Sequence, residues 1–233
     1  MDNVANSQKY VRDSLYYWDS VTFLVEGVLF KVPRRYFEKN SNIWSDVFTL
    51  PLGSNQAEGS SDENPIRLES ISSIDFQRLL MVMYPENSLS QCVKMNQDQW
   101  VSVLKLSTMW GFDEIRKKAI AELSKINMDT LDKVVLARSY SVGDWLYEGY
   151  TALVKREASL SFEEAERLGY EIAFRLCQRR EAAFRKAGFN LHRSFQGLGT
   201  EICATFRAEL IDAGHSGRPP QDFHLGAGFL ERL

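Results

Sequence analysis

From Val21 to Val32 the chain alternates between apolar and polar positions. Val21, Phe23 and Val25 are interleaved with Thr22, Leu24 and Glu26, and Val28, Phe30 and Val32 follow Glu26-Gly27. A period of two, carried by β-branched and aromatic residues, predicts strands. The Glu-Gly pair predicts a hairpin turn, because glycine takes a positive φ without a clash. Pro33 has no N–H to donate and ends the second strand. Leu24 and Leu29 make the opposite face partly apolar too, which predicts that helices cover some of it.

The period then lengthens. Tyr36, Phe37, Ile43, Trp44, Val47 and Phe48 recur at helical spacing, predicting two short helices broken around "KNSN", with Ser41 or Asn42 capping the second. "PLGSNQAEGSSDENP", residues 51–65, carries Glu58, Asp62 and Glu63 among small polar residues and reads as a mobile surface loop. Ile66 and Leu68 mark a short third strand. Phe76, Leu79, Leu80 and Met83 mark a helix that Tyr84-Pro85 closes.

Beyond Pro85 the pattern is helical almost throughout. Trp100, Val103, Leu104 and Ser107 share a face that stops at Gly111, and Asp113 is a suitable cap for the helix of Ile115, Ala119 and Leu123. Asp129 can cap Leu131, Val134 and Val135, and Trp145, Gly149, Ala152 and Leu153 mark another helix. Ser161 and Glu164 have capping-box spacing, and Ala165, Leu168, Ile172 and Leu176 continue from them as one helix. Ile202, Phe206 and Leu210 predict a single further helix before a loosely ordered Gly- and Pro-rich end. The reading is α+β: a strand-containing N-terminal half and an all-helical C-terminal half, divided near residues 124–130.

Composition narrows the function. A 44% apolar and 25% charged chain is that of a folded protein, and a net charge of -3 argues against a surface built around phosphate backbones. No apolar run approaches the roughly 20 residues of a membrane span. "MDNVANSQKYVRDSLYYWDS" lacks a signal-peptide core, so an intracellular site (cytoplasm or nucleus) and no membrane association are expected. Cys92, Cys177 and Cys203 form no disulfide framework, and a reducing compartment fits them.

Candidate chemistry is sparse. His192, His215 and His224 lack the spacing of a helical metal pair, and a metal site with Cys203 is outweighed by incidental histidines in a loose tail. "GHSG" around Ser216 lacks the nucleophile-elbow pattern, and Gly53 and Gly59 lead into no phosphate loop. Cys177 reads as a buried apolar residue, and Glu163-Glu164 as helix-start carboxylates. No catalytic residue, metal or cofactor is expected. Arg175, Arg179, Arg180, Arg185, Lys186 and Arg193, with Glu181 as the one acid, could meet nucleic acid, but a solvated helix face explains them better. Trp44, Trp100, Trp110 and Trp145 are core candidates. Tyr16, Tyr17 and Trp18 precede the first strand and suit an open sheet edge, within the chain or across a dimer.

The order strand, strand, two short helices, strand, helix, helix pair resembles a BTB/POZ domain. "SVTFLVEGVLFKVPRRYFEKNSNIWSDVF" looks like that family's opening hairpin and helices, with Phe30, Phe37, Ser41, Trp44 and Phe48 at its bulky apolar positions and its serine. "PIRLESISSIDFQRLLMVMY" and "WVSVLKLSTMWGFDEIRKKAIAEL" look like its later strand and helices. "VLFKVPRRYFE", "LDKVVLARSY", "DWL" and "FEEAERLGYEIAFRLCQRRE" are similar to the BTB proteins expanded in basidiomycete fungi. The resemblance implies a BTB/POZ domain at 18–124 with a small sheet flanked by helices and a helical extension at 125–187, leaving an N-terminal segment at 1–17 and, from the residue pattern alone, a tail at 188–233 with one helix.

Two departures stand out. Pro33 replaces a frequent His, and neither Leu50 nor Leu52 is followed two residues on by the acid of the apolar-x-Glu motif of cullin-3 adaptors. The resemblance implies a non-enzymatic protein-interaction module, often a homodimer. Tyr16, Tyr17, Trp18, Tyr36 and Phe37 are then candidates for the self-association surface, and Leu50 and Leu52 for a second protein partner. A cullin-3 adaptor and a nucleic-acid-associated regulator using residues 175–193 are the alternatives. The first is weakened by the missing acid, the second by the absence of any nucleic-acid-binding motif.

Overall fold

The hairpin forms as the alternation predicts, with β1 (Ser20–Val25) antiparallel to β2 (Val28–Pro33) and Phe23 opposite Phe30. Both turn residues have positive φ, Glu26 at 47° and Gly27 at 80°, the geometry whose twist matches a two-residue hairpin. In this computed structural model, residues 10–49, 58–85, 94–187 and 195–216 are described. The chain falls into two compact units, Met1–Ile126 and Asn127–Leu233.

In the first unit, α1 (Arg34–Asn40) and α2 (Asn42–Thr49) follow the hairpin. The two-residue β3 (Ile66–Arg67) then joins β1 in parallel, giving the order β2-β1-β3. After it come α3 (Ser73–Met83), α4 (Gln97–Met109) and α5 (Asp113–Ser124). The small sheet flanked by helices is the expected one.

One face of the sheet meets an aromatic core. Phe23 lies 5.0 Å from Phe37, 5.3 Å from Trp44 and 5.3 Å from Phe76, and Trp44 lies 5.5 Å from Trp110, ring centroid to centroid. Edge and tilted contacts of this kind add about 0.5–1.5 kcal/mol per pair to the burial itself. The other face differs from expectation. Leu29 is exposed and Leu24 half-buried, and the cover nearby is a turn instead of a helix. The Thr22 hydroxyl and the Lys31 ammonium both reach Asp62, at 3.4 and 3.8 Å.

That turn corrects the loop reading over its second half. The amide of Thr22 donates to the Gly59 carbonyl at 2.9 Å, and the Gly59 amide to Asn64 at 2.7 Å, so residues 58–64 extend the pairing of β1. Residues 50–57 lie outside the described residues. Asp113 is also corrected: it is the first residue of α5, and the buried Phe112 holds the cap position. The carboxylate still sits where the helix dipole favours it.

In the second unit are α6 (Thr130–Ser139), α7 (Gly143–Lys155), α8 (Phe162–Leu168), α9 (Tyr170–Ala187), α10 (Leu198–Thr205) and α11 (Arg207–Asp212). Asp129 caps α6, accepting from the amide of Leu131 at 2.8 Å. Ser161 and Glu164 form the reciprocal box, with bonds of 3.2 and 2.8 Å. The helix expected to run on from Ser161 is two, broken at Gly169 with φ 86°. The single C-terminal helix is also two, parted at Phe206. Ala152 faces solvent, and Tyr150 takes the core place on α7, 4.5 Å from Phe206. His215 is buried and stacked 5.1 Å from Tyr147, so the chain through residue 216 is packed, not loose.

Candidate protein-interaction surface

The segment before β1 is shaped by Asp13. Its carboxylate accepts from the amides of Leu15 and Tyr16, both at 2.8 Å, and Tyr17 donates back to the Asp13 carbonyl at 3.3 Å. Those amide bonds, Leu15 first, hold the carboxyl below its ordinary range. The Leu15 carbonyl then accepts from Trp18 Nε1 and, at 2.7 Å, from Arg35 of α1. A turn is thereby pinned beside α1 while its side chains project outward. Tyr10, Val11, Leu15, Tyr16, Tyr17 and Trp18 are between 45% and 93% exposed. The Arg12 guanidinium lies 4.6 Å from the Tyr17 ring centre, and Tyr16 lies 6.5 Å from Trp18.

Of the expected surface residues, Tyr16, Tyr17 and Trp18 stand together on this turn. Tyr36 is 39% exposed, and its other side packs on Tyr84 at 5.0 Å. The Tyr84 hydroxyl donates to the Pro33 carbonyl at 2.6 Å, so the site where the family often has His keeps a backbone hydrogen bond. Burial pushes the Tyr84 phenol well above its ordinary value. Phe37 is a correction: it has no accessible surface and belongs to the aromatic core. Leu50 and Leu52 lie outside the described residues, although Ile43 and Val47, a turn apart on α2, are exposed just before them. Sequence reasoning missed Leu15 and Arg35. Only the position of Leu15 between Asp13 and the aromatic run hinted at its role.

Three of the five described bases in the basic run, Arg175, Arg185 and Lys186, are paired with acids by the fold. Arg175 pairs with Glu171 at 2.5 Å and Arg185 with Glu181 at 3.0 Å, while Lys186 meets Glu201 and Arg180 donates to the Glu157 carbonyl. Glu171 and Glu201 join the one acid apparent in the run itself. Arg193, His192, His224 and Cys92 lie outside the described residues. Cys203 is buried and Cys177 only half-buried; burial raises the Cys203 thiol pKa.

A cleft of about 580 Å³ in the second unit is lined by Arg138, Arg167, Glu209 and Asp212. Its cations are already matched, Arg138 to Glu209 at 2.9 Å and Arg167 to Asp132 at 2.5 Å. Among the described residues no cluster of His, Cys, Asp and Glu could hold a metal, and no helix is long and apolar enough to cross a membrane.

Residues 12–127 match the family model of the BTB/POZ domain, a protein–protein interaction module that is generally non-enzymatic. No curated protein matches the chain. The matched span takes in the aromatic turn from Arg12 onward, the hairpin, both short helices and the helices through α5. This chain is therefore a BTB/POZ domain protein, with the domain at residues 12–127.

Proposed function

We propose that this protein is a non-enzymatic interaction module whose BTB/POZ domain self-associates through the turn at residues 10–18, with Tyr36 at its rim. One observation carries the reading: Leu15, Tyr16, Tyr17 and Trp18 stand exposed on a turn that internal hydrogen bonds already hold, with Tyr10 and Val11 exposed just before them. Exposed apolar clusters of this kind mark interaction sites. Pre-ordering the turn lowers the entropy cost of binding, and burial contributes about 25 cal/mol per Å² of apolar area removed from water.

The sequence similarity to BTB proteins expanded in basidiomycete fungi extends this reading. It supports a core domain at 18–124 and a helical extension at 125–187, and the three widely spaced cysteines support an intracellular, reducing site. Leu50 and Leu52, following the exposed Ile43 and Val47, are proposed as a contact for a different protein partner. Cullin-3 is a poor fit there, because the acid expected two residues after each leucine is absent.

Amide hydrogen exchange across a concentration series tests the self-association. Protection of the amides in residues 10–18 should rise with protein concentration while that of α6 at the buried Val134 does not follow. Exchange there that ignores concentration contradicts the proposal.

A further inference from the structure

The second unit carries its own exposed aromatic ridge. The left-handed Gly169 turns the chain between α8 and α9 and brings the start of each together, with Phe162 and Tyr170 rings 5.8 Å apart. Phe174 follows Tyr170 by one helical turn on the same side of α9. The three rings are 57% to 71% exposed. They do not serve the fold, since α9 buries Ala173, Leu176 and Ala183 instead. Single exposed aromatics are common on monomers; three in a row are not.

We propose that this ridge is a second self-association surface, occupied by the same ridge of another copy of the chain. Charge selects that occupant. Glu171 and Arg175 flank the rings on α9 and join at 2.5 Å through one oxygen and one nitrogen, while the Glu171 side chain stays 75% exposed. A two-fold axis between Tyr170 and Phe174 sets two α9 helices antiparallel. Glu171 then faces the partner's Arg175, and Arg175 the partner's Glu171. Along α9 the flank of one acid and one base is complementary to itself, as a two-fold interface requires, while Glu163 and Glu166 lie on α8 beside Phe162.

This inference does not depend on the turn at residues 10–18. If both surfaces act, one chain carries two different two-fold contacts, which link copies into assemblies larger than a dimer.

The test is sedimentation velocity on the full chain in a Trp18→Ala background, with and without Phe174→Glu. The Trp18→Ala chain should remain a concentration-dependent dimer. Adding Phe174→Glu should weaken it at least about tenfold, the effect of losing one central aromatic contact. An unchanged circular dichroism spectrum, expected for so exposed a side chain, shows the loss is not unfolding. A Trp18→Ala chain that is monomeric, or a dimer indifferent to Phe174→Glu, overturns the proposal. The first result leaves the ridge to a different protein, and the second places the contact elsewhere.

Discussion

The hydroxyl of Ser41 donates to the carbonyl of Trp110 at 2.5 Å, joining the start of α2 to the end of α4 across 69 residues of sequence. The same oxygen accepts from the Trp44 amide at 3.1 Å and so also caps α2. Ser41 is buried, and both partners belong to the aromatic core. Ser41→Ala leaves a buried carbonyl and a helix-start amide without this partner. A loss of about 1–3 kcal/mol is expected, read as a lower urea midpoint at unchanged slope.

Gly59 is the close approach that seats the 58–64 turn on β1. Its φ is +80°, and an added Cβ would stand 2.7 Å from Val21 Cγ2. Gly59→Ala therefore combines an unfavourable backbone with a clash against a core residue. We expect a loss of about 1–3 kcal/mol, measured by thermal unfolding. An unchanged melting temperature would show that the turn is not fixed to the strand.

In the second unit, Glu164 links pH to stability. The Arg156 guanidinium, bonded at 2.6 Å, and the Ser161 amide lower its pKa from 4.5 to about 2. A depressed carboxyl stabilises the fold above its unfolded pKa, and that contribution fades as pH falls from about 4.5 toward about 2. Glu164→Gln should flatten the stability profile in that window while leaving its shape above pH 5 intact. Ser161→Ala should cost about 1 kcal/mol as a lost cap.

Gly143 tests the packing of the last described residues. A Cβ there would lie 2.5 Å from the His215 backbone nitrogen and 2.9 Å from the Ala213 carbonyl oxygen, neither of which a side-chain rotation can move. Gly143→Ala should displace this segment and speed amide exchange at His215, whose N–H donates to Leu210 at 2.8 Å.

What the sequence disclosed was local. Asp129 and the Ser161–Glu164 box act on amides two or three residues away, so their roles follow from spacing alone. The hairpin and Ser41 as a cap were legible for the same reason. The break at Gly169 was hidden because Leu168, Ile172 and Leu176 keep a helical period across it. Tyr36 and Phe37 are neighbours on one short helix, one facing out and one in, and nothing within that helix decides which. The second-unit ridge was hidden too, because Phe162 and Tyr170 meet only after the chain turns at Gly169. Exposure and long-range pairing, as in Ser41 with Trp110, are properties of the assembled fold.

The central claim is that the BTB/POZ domain self-associates through its N-terminal aromatic turn. Sedimentation equilibrium from low to high micromolar concentration, on the Phe174→Glu chain with and without Trp18→Ala, isolates that contact from the second ridge. The account predicts a dimer that Trp18→Ala converts toward monomer with its fold intact. A Phe174→Glu chain that is monomeric throughout, or a dimer that Trp18→Ala leaves untouched, contradicts it.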